Sequence, residues 1–140
     1  MNKPLVSIGL PTHNRANDLQ ACLANLTNLD YKNIEIIISD NHSTDATAEV
    51  CKEYVQKDKR VSYYRQKVNG GVTKNSLFVL KKARGKYFLW TSDDDLRDRK
   101  YLSETIPLLE KYPNATLTIT DTCLFTKTQS LDIPLYFKTY

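Results

Sequence analysis

The sequence predicts one α/β domain built on a doubly wound, mostly parallel sheet with helices on both faces. Strand-like apolar segments alternate along the chain with segments of helical periodicity. Isoleucines at 36–38 form a continuous run, typical of a central parallel strand buried on both faces. At roughly 100 to 200 residues per domain, the 140 residues exclude tandem domains, so we take 1–140 as a single domain.

The first half of the chain begins with a strand, a helix and a second strand. Residues 5–10 are apolar and rich in Val and Ile, and Pro11 ends this first strand. Asn14 is the candidate cap of a helix with apolar residues at helical spacing over 16–26. The isoleucine run then marks a second strand at 34–39.

The rest of the chain continues the alternation. Gly70 and Gly71 break the chain before the third helix, and Pro107 is expected to kink or split the fourth. Aromatic residues of the later strands, Trp90 among them, are expected to pack beneath helices. Further strands are predicted at 61–65, 86–92 and 115–120, and further helices at about 48–55, 72–83 and 98–112.

Charge limits the partners. Lys and Arg number 20 against 16 Asp and Glu, a net charge of +4. This mild excess suits an anionic ligand such as a nucleotide diphosphate. The basic residues form no stripe interleaved with aromatics, so no nucleic acid partner is predicted. Lys81, Lys82 and Arg84 come nearest to a cluster, and we interpret them as the basic last turn of a helix.

Cysteine content and hydropathy bear on location. The three cysteines are odd in number and widely spaced, typical of reduced thiols in a cytoplasmic protein. No apolar run approaches the ~18 to 20 residues of a membrane-spanning helix, so no transmembrane segment is predicted. Peripheral association with the inner face of a membrane stays open, as does a homodimer.

Polar residues fall where the predicted strands end. Residues 12–15 follow the first strand, Asp40 and Asn41 follow the second, and three aspartates at 93–95 follow the fourth. Ligands of doubly wound sheets lie beyond the carboxyl ends of the strands. Adjacent carboxylates repel one another unless a cation compensates, and their oxygens suit Mg²⁺ or Mn²⁺. The alternative is that the aspartates only cap the next helix.

Several other nucleotide-binding and catalytic devices are absent from the sequence. There is no G-x-x-x-x-G-K-[ST] phosphate loop, and the turn at 11–15 contains no glycine. No G-x-S-x-G nucleophile elbow occurs. His13 and His42 lack metal-ligand spacing and lie in predicted site loops, where a solvated histidine is the commoner alternative. A P-loop enzyme and a dinucleotide-binding fold are therefore disfavoured.

Four segments near the ends of predicted strands form a recognisable pattern together. Their sequences are VSIGLPTHNR at 6–15, ISDNHSTD at 38–45, NGGVTKN at 69–75 and GKYFLWTSDDD at 85–95. In this order they resemble the signature of family 2 glycosyltransferases with the GT-A fold, which is Rossmann-like. The resemblance covers roughly residues 4–100. It implies the N-terminal nucleotide-sugar-binding part of such an enzyme, truncated before the acceptor-binding half.

The resemblance also implies roles for individual residues. The first loop meets the nucleotide, Asp40 accepts a hydrogen bond from the base, and the acidic motif touches the ribose and holds the metal. Asp93 and Asp95 fit D-x-D directly, whereas a second alignment puts Thr91 first and Asp93 and Asp94 later. The implied nucleotide-sugar-binding residues are Pro11, Thr12, Arg15, Asp40, Asn69, Gly70, Asn75, Asp93 and Asp94, and the implied metal ligands are Asp93 and Asp95.

The implied reaction is transfer of a sugar from a nucleotide-diphosphate donor, a UDP-sugar, to an acceptor hydroxyl. The resemblance further implies Mn²⁺ or Mg²⁺ as cofactor, inversion at the anomeric carbon, and a role in polysaccharide biosynthesis with a saccharide or lipid-linked acceptor. Transfer needs a base for the acceptor hydroxyl. Asp121 is the one candidate, and a turn acid is its commoner role.

Other functions stay open at this point. A non-catalytic nucleotide-sugar-binding module would keep the same fold without turnover. A metal-dependent nucleotidyltransferase also needs a nucleotide and acidic ligands, although its usual glycine-rich basic first loop is missing here. A phosphoacceptor receiver domain is disfavoured, because its paired acids would follow the first strand, where this chain has Pro11 and Thr12.

Overall fold

The computed structural model describes residues 3–120 and the backbone of two short strands, Leu124–Phe125 and Ser130–Leu131. By its internal contacts the chain divides into two compact units, Met1–Ser103 and Glu104–Tyr140. The first unit contains the sheet and all the described candidate site residues. In the second, the two short strands pair antiparallel.

The first unit is built on a four-stranded, all-parallel sheet in the order β3-β2-β1-β4. Its strands are β1 (Val6–Thr12), β2 (Ile34–Asp40), β3 (Val61–Arg65) and β4 (Tyr87–Trp90). The helices of the chain are α1 (Ala16–Thr27), α2 (Thr47–Lys57), α3 (Val72–Lys82) and α4 (Tyr101–Lys111). The predicted α/β fold with a parallel sheet is confirmed.

The path of the chain places helices on both faces of this sheet. Helix α1 connects β1 to β2, and α2 connects β2 to β3, so both connections step in the same direction across the sheet. The two helices pack against each other. Helix α3 returns across the sheet and packs on β1 and β2. Because crossovers between parallel strands are right-handed, the reversed step puts α3 on the face opposite α1 and α2.

Strand β2 is the centre of the core. All seven of its residues are buried, as the isoleucine run predicts for a strand covered on both faces. Ile8 and Leu10 of the neighbouring strand β1 are also fully buried. Burial of these aliphatic side chains stabilises the sheet and holds the carboxyl ends of β1 and β2 in register, with Thr12 opposite Asp40.

Three expectations from the sequence are wrong. Residues 115–120 form no strand; Leu117 and Ile119 are 70% and 67% exposed, and β-branched residues favour a strand only where a partner strand packs beside them. Helix α4 runs through Pro107 as one helix, so the split expected there does not occur, whereas a kink stays a prediction. Trp90 lies at the end of an edge strand and is 48% exposed.

Among the described residues, no helix has both the length and the hydropathy to cross a membrane.

Candidate functional site

The order of the strands reverses between β1 and β4, and this is where the site lies. The loops that follow β1 and β4 part in opposite directions, which opens a crevice at the carboxyl ends of the two strands. The structure has a cleft of about 530 Å³ there. It is lined by Pro11, Thr12, His13, Arg15, Asn41, Val72, Asn75, Ser76, Trp90, Thr91, Ser92, Asp93 and Asp95.

A hydrogen bond between side chains joins the two walls of the cleft. The Thr12 hydroxyl donates to Asp93 Oδ2 at 2.7 Å, and both residues are buried. Burial raises the pKa of Asp93, and the nearby Asp94 adds to that rise, whereas the Thr12 hydrogen bond and Arg15 oppose it. A desolvated carboxylate that faces a cleft and receives only partial compensation is suited to a cation.

The three aspartates have different surroundings. Asp93 and Asp95 line the cleft, whereas Asp94 is exposed and is not among the lining residues. Asp95 Oδ2 accepts hydrogen bonds from Arg97 at 3.2 Å and from the Ser92 N–H at 3.4 Å. Asp93 and Asp95 therefore face one space, and Asp94 does not.

The loop after β1, residues 13–15, is held by the loop after β2. The Asn14 N–H donates to Ser43 Oγ at 2.9 Å, and Asn14 Oδ1 accepts the Thr44 N–H at 2.8 Å. Asn14 has a φ of 53°, a left-handed conformation that asparagine tolerates. Its side chain is thus used between loops and does not cap α1, contrary to the sequence prediction.

Arg15 is fixed through Thr47 and Asp45. Its backbone N–H donates to the hydroxyl of Thr47 at 3.1 Å, and that hydroxyl donates to Asp45 Oδ1 at 2.5 Å. The other oxygen of Asp45 accepts the Ala16 N–H at 3.2 Å. Thr47 is fully buried, whereas the Arg15 side chain is 52% exposed and lines the cleft. The buried Thr47 hydroxyl therefore holds the backbone at Arg15, while the Arg15 guanidinium lies 3.4 Å from Asp18 Oδ2.

Asp40 does not line the cleft. It is fully buried, and its Oδ1 accepts the Ser43 N–H at 2.7 Å. Its Oδ2 accepts the Tyr63 hydroxyl at 2.9 Å and lies 3.7 Å from Arg65 Nε. In this conformation both oxygens have donors within the protein, so a direct bond to a ligand would require one of those donors to move.

A second cavity, of about 760 Å³, adjoins the cleft and shares Asn41 and Asn75 with it. Its walls contain the rings of Tyr63, Tyr64 and Phe78. Asn75 is buried between the two spaces, where its amide donates to Ser39 O at 2.9 Å. The two cavities therefore form adjacent compartments, one lined by carboxylates and the other by aromatic rings.

The segment at 69–75 contacts the site from the side of α3. Gly70 lines the second cavity, and its N–H donates to Asn41 Oδ1 at 2.9 Å. Asn69 Oδ1 accepts the Asn41 side-chain amide at 2.7 Å. The structure thus places Pro11, Thr12, Arg15, Gly70, Asn75, Asp93 and Asp95 in the lining of the two cavities. Asp94 and Asn69 are exposed and Asp40 is buried, and these three line neither cavity. Asp121, the candidate base, lies outside the described residues.

Sequence reasoning missed several residues of the cleft. Trp90 lines it, and its indole N–H donates to Ser76 O at 3.2 Å. Its place three residues before Asp93 is the signal in the sequence that Trp90 lies near the carboxyl edge of the sheet. His13 also lines the cleft, with Nε2 3.3 Å from Asn69 Nδ2. His42 is exposed and is not a lining residue of the cleft.

Comparison with known proteins gives a consistent result. The family model described as glycosyl transferase family 2 matches residues 7–133. A relative in Streptococcus pneumoniae, named glycosyltransferase GlyA, is 31% identical over 107 residues, which are 76% of this chain and 15% of the relative. The chain spans well under half the length of the first curated relatives it matches.

Solved structures share the fold. The structure of residues 1–349 of S. aureus TarS in complex with UDP-GlcNAc aligns with a TM-score of 0.71 and 25% identity, covering 76% of this chain and 31% of that one. A Pyrobaculum calidifontis mannosyltransferase, PcManGT, in complex with GDP-Man and Mn²⁺ also aligns with a TM-score of 0.71, at 23% identity, covering 77% of this chain and 33% of that one. Both align with most of the described chain.

Proposed function

The chain belongs to glycosyl transferase family 2, and from this membership we propose that it is the donor-binding part of a glycosyltransferase. It binds a nucleotide-diphosphate sugar, a UDP-sugar, in the cleft between the ends of β1 and β4 and supports transfer of the sugar to an acceptor hydroxyl with inversion. The observation that carries the proposal is the cleft itself, where Thr12 bonds to Asp93 across the point at which the strand order reverses.

The two adjacent compartments suit the two ends of such a donor. Aromatic rings at Tyr63 and Tyr64 line the second cavity and suit the flat base. Asn41 and Asn75 lie at the junction of the compartments, where their amides bond to Asn69, Gly70 and Ser39 and so shape the space beside the ribose. Asp40 accepts the Tyr63 hydroxyl. We propose that Asp40 orients this hydroxyl toward the base, or accepts a hydrogen bond from the base itself once the hydroxyl moves.

The carboxylate side of the cleft suits the diphosphate with a divalent cation. Asp93 and Asp95 offer hard oxygen donors to one space, and Arg15 lines the same space. Among the described residues, no group of three His, Cys, Asp or Glu side chains could hold an ion by itself, so the diphosphate would complete the coordination. When bound, Mn²⁺ or Mg²⁺ would supply Lewis-acid stabilisation of charge on the leaving phosphate. The PcManGT complex contains Mn²⁺ with its nucleotide sugar.

The residues of this chain then bind and orient the donor. Thr12 holds the Asp93 carboxylate in place through its hydroxyl. Arg15 adds positive charge beside the phosphates, where a partly desolvated pair is worth more than one in open water. Trp90 covers one side of the cleft with an apolar ring, which restricts water near the sugar.

The acceptor, the base that activates it and the assembly state are also proposals. A saccharide or a lipid-linked saccharide is the acceptor that the family resemblance implies. We place the reaction in the cytoplasm, as a step in polysaccharide assembly. Asp121 remains the candidate base. A homodimer is tested by the mass of the protein in solution, and the acceptor by transfer assays with lipid-linked and free saccharides.

Thermal unfolding with and without ligand tests the donor-binding proposal. UDP with Mn²⁺ is expected to raise the Tm more than UDP alone, because the cation tightens UDP binding and stabilisation grows with the ratio of ligand concentration to Kd. A ligand at 100 times its Kd adds ~2.7 kcal/mol to the free energy of unfolding. Asp93→Asn is expected to abolish the part of the shift that depends on Mn²⁺. Asp94→Asn is the matched control, since Asp94 is adjacent, acidic and outside the cleft lining, and should retain that part.

Two outcomes would count against specific parts of the proposal. No change in Tm with millimolar UDP and Mn²⁺, in a folded sample, would contradict nucleotide binding at this cleft. Binding without hydrolysis or transfer of the sugar, even with saccharide acceptors, would favour a non-catalytic nucleotide-sugar-binding module.

A further inference from the structure

The stretch at 66–92, which contains α3 and β4, is basic throughout. It holds six basic residues and no acidic residue, although the net charge of the whole chain is only +4. The remainder of the chain therefore has more acidic than basic residues. The six are Lys67, Lys74, Lys81, Lys82, Arg84 and Lys86. Charge is thus separated between this stretch and the rest of the molecule.

Helix α3 combines these lysines with exposed aliphatic side chains. Leu77 and Leu80 are three residues apart and are 45% and 38% exposed. Lys74 and Lys81 lie three residues before and four residues after Leu77, so both flank it on the outer surface of the helix. The opposite surface of α3 carries Val79, which is fully buried against the sheet.

Two further exposed aliphatic residues lie at the start of α3 and in the loop before it. Val72, at the first position of α3, is 80% exposed and also lines the cleft. Val68, in the preceding loop, is 69% exposed. Single exposed aliphatic residues are ordinary, so only Leu77 and Leu80, which lie three residues apart on the outer surface of α3, count toward a docking face.

Three lysines in and before α3 have no acidic partner in the described part of the chain. Among the described residues, Lys67, Lys74 and Lys81 form no ion pair. Lys82 lies over the rings of Tyr64 and Phe78, at 5.1 and 5.6 Å from the ring centroids, and is exposed. The positive charge of α3 is therefore presented to solvent.

We propose that this α3 face, formed by Lys74, Leu77, Leu80 and Lys81, docks on an anionic lipid surface. The aliphatic side chains enter the interfacial layer, and the lysines remain at the level of the lipid phosphates. A soluble polyanion would engage the lysines but gain nothing from Leu77 and Leu80, and this favours lipid. The inference does not depend on nucleotide binding.

Cosedimentation with vesicles tests the proposal. The chain is expected to bind vesicles of equal parts phosphatidylcholine and phosphatidylglycerol, to bind vesicles of phosphatidylcholine alone far more weakly, and to dissociate in high salt. The Lys74→Gln/Lys81→Gln variant should bind the anionic vesicles roughly 30-fold more weakly, since each lysine near an anionic surface contributes about fivefold. Leu77→Gln should also weaken binding.

A matched control separates docking from general electrostatic attraction. Lys52→Gln/Lys59→Gln changes the net charge equally at two exposed lysines of α2 and the turn that follows it. This variant should keep its vesicle binding within about twofold, because these lysines lie outside the docking face and beyond most of the screened field. Circular dichroism melts establish that each variant is folded.

Three results would overturn the proposal. One is equal binding of the wild-type chain to neutral and anionic vesicles, or binding to neither. Another is an equal loss in the α3 and control variants. The third is binding that soluble polyphosphate competes away while Leu77→Gln has no effect, which would identify a polyanion site in place of a lipid-docking face.

Discussion

The Thr12 hydroxyl donates a 2.7 Å hydrogen bond to the Asp93 carboxylate, and this bond links two strands that the chain reaches 81 residues apart. Thr12 ends β1 and Asp93 follows β4, so the bond spans the place where the strand order reverses. It fixes the orientation of the one aspartate in the acidic motif that is buried at the cleft.

Thr12→Val keeps the shape of the side chain and removes the donor to Asp93. The variant should lose about 1–3 kcal/mol of unfolding free energy, because a buried carboxylate loses a hydrogen bond, and it should bind UDP with Mn²⁺ more weakly. Urea denaturation and titration calorimetry measure the two effects. Thr12→Ser retains a hydroxyl and should recover most of the affinity; equal affinity in all three proteins would exclude a role for this bond in ligand binding.

Thr47→Val tests how Arg15 is positioned. The buried Thr47 hydroxyl receives the Arg15 N–H and donates to Asp45, so its removal should release the loop at 13–15 and weaken UDP binding severalfold. Thr27→Val is the matched control, because the Thr27 hydroxyl donates to Leu23 O within α1, away from the cleft. Thr47→Ser should restore the affinity, which a purely steric defect would not allow.

If Thr47→Val lowered the free energy of unfolding but left the affinity for UDP unchanged, the Thr47 hydroxyl would serve stability alone. A wild-type chain that fails to bind UDP would instead contradict the proposed function, so the two failures can be distinguished.

Glu35 should make stability depend on pH in the acid range. Burial alone would raise the pKa of Glu35, but hydrogen bonds from Ser7 and Arg84 outweigh it and lower that pKa from its ordinary 4.5. A carboxylate with a lowered folded-state pKa stabilises the protein above its unfolded-state value, and that contribution is lost as the pH falls through the folded value. The Glu35→Gln variant should therefore lose less stability than the wild type as the pH falls below 4.5.

Urea denaturation at a series of pH values measures this dependence. If the free energy of unfolding changed with pH equally in the wild type and in Glu35→Gln, the Ser7–Glu35–Arg84 network would make no pH-dependent contribution to stability.

Gly85→Ala should destabilise the sheet by about 1–3 kcal/mol, as overpacking does. A Cβ at Gly85 would lie 2.6 Å from the backbone nitrogen of Ser7 and 2.8 Å from the carbonyl oxygen of Leu5, and neither atom can move without displacing β1. Gly70→Ala is the control, since its Cβ would meet the flexible Lys74 side chain at 3.3 Å. Equal Tm values for the two variants would contradict this packing.

The positions of the strands and the edge that carries the site could be predicted because they depend on local patterns. An isoleucine run buried on both faces identifies β2, and polar residues directly after each strand must gather at the carboxyl edge of a parallel sheet. The order of the motifs likewise identified the family, which the family match confirms.

Contacts between distant segments could not be predicted in this way. Periodicity does not predict the hydrogen bond from the Tyr63 hydroxyl to Asp40, 23 residues away. It therefore does not predict the complete burial of that aspartate either. The exposure of Trp90 depends on its lying at the end of an edge strand of the described sheet. Residues 115–120 form no strand because no described strand pairs with them. The assignment of roles to individual site residues remains a prediction.

The most direct measurement is a crystal structure of this chain with a UDP-sugar and Mn²⁺, with anomalous scattering recorded to locate the manganese. The central claim predicts a manganese peak bonded to Asp93 or Asp95 and to the diphosphate, with the base beside Tyr63. A nucleotide bound away from the ends of β1 and β4, or manganese with no aspartate of this cleft among its ligands, would contradict the claim.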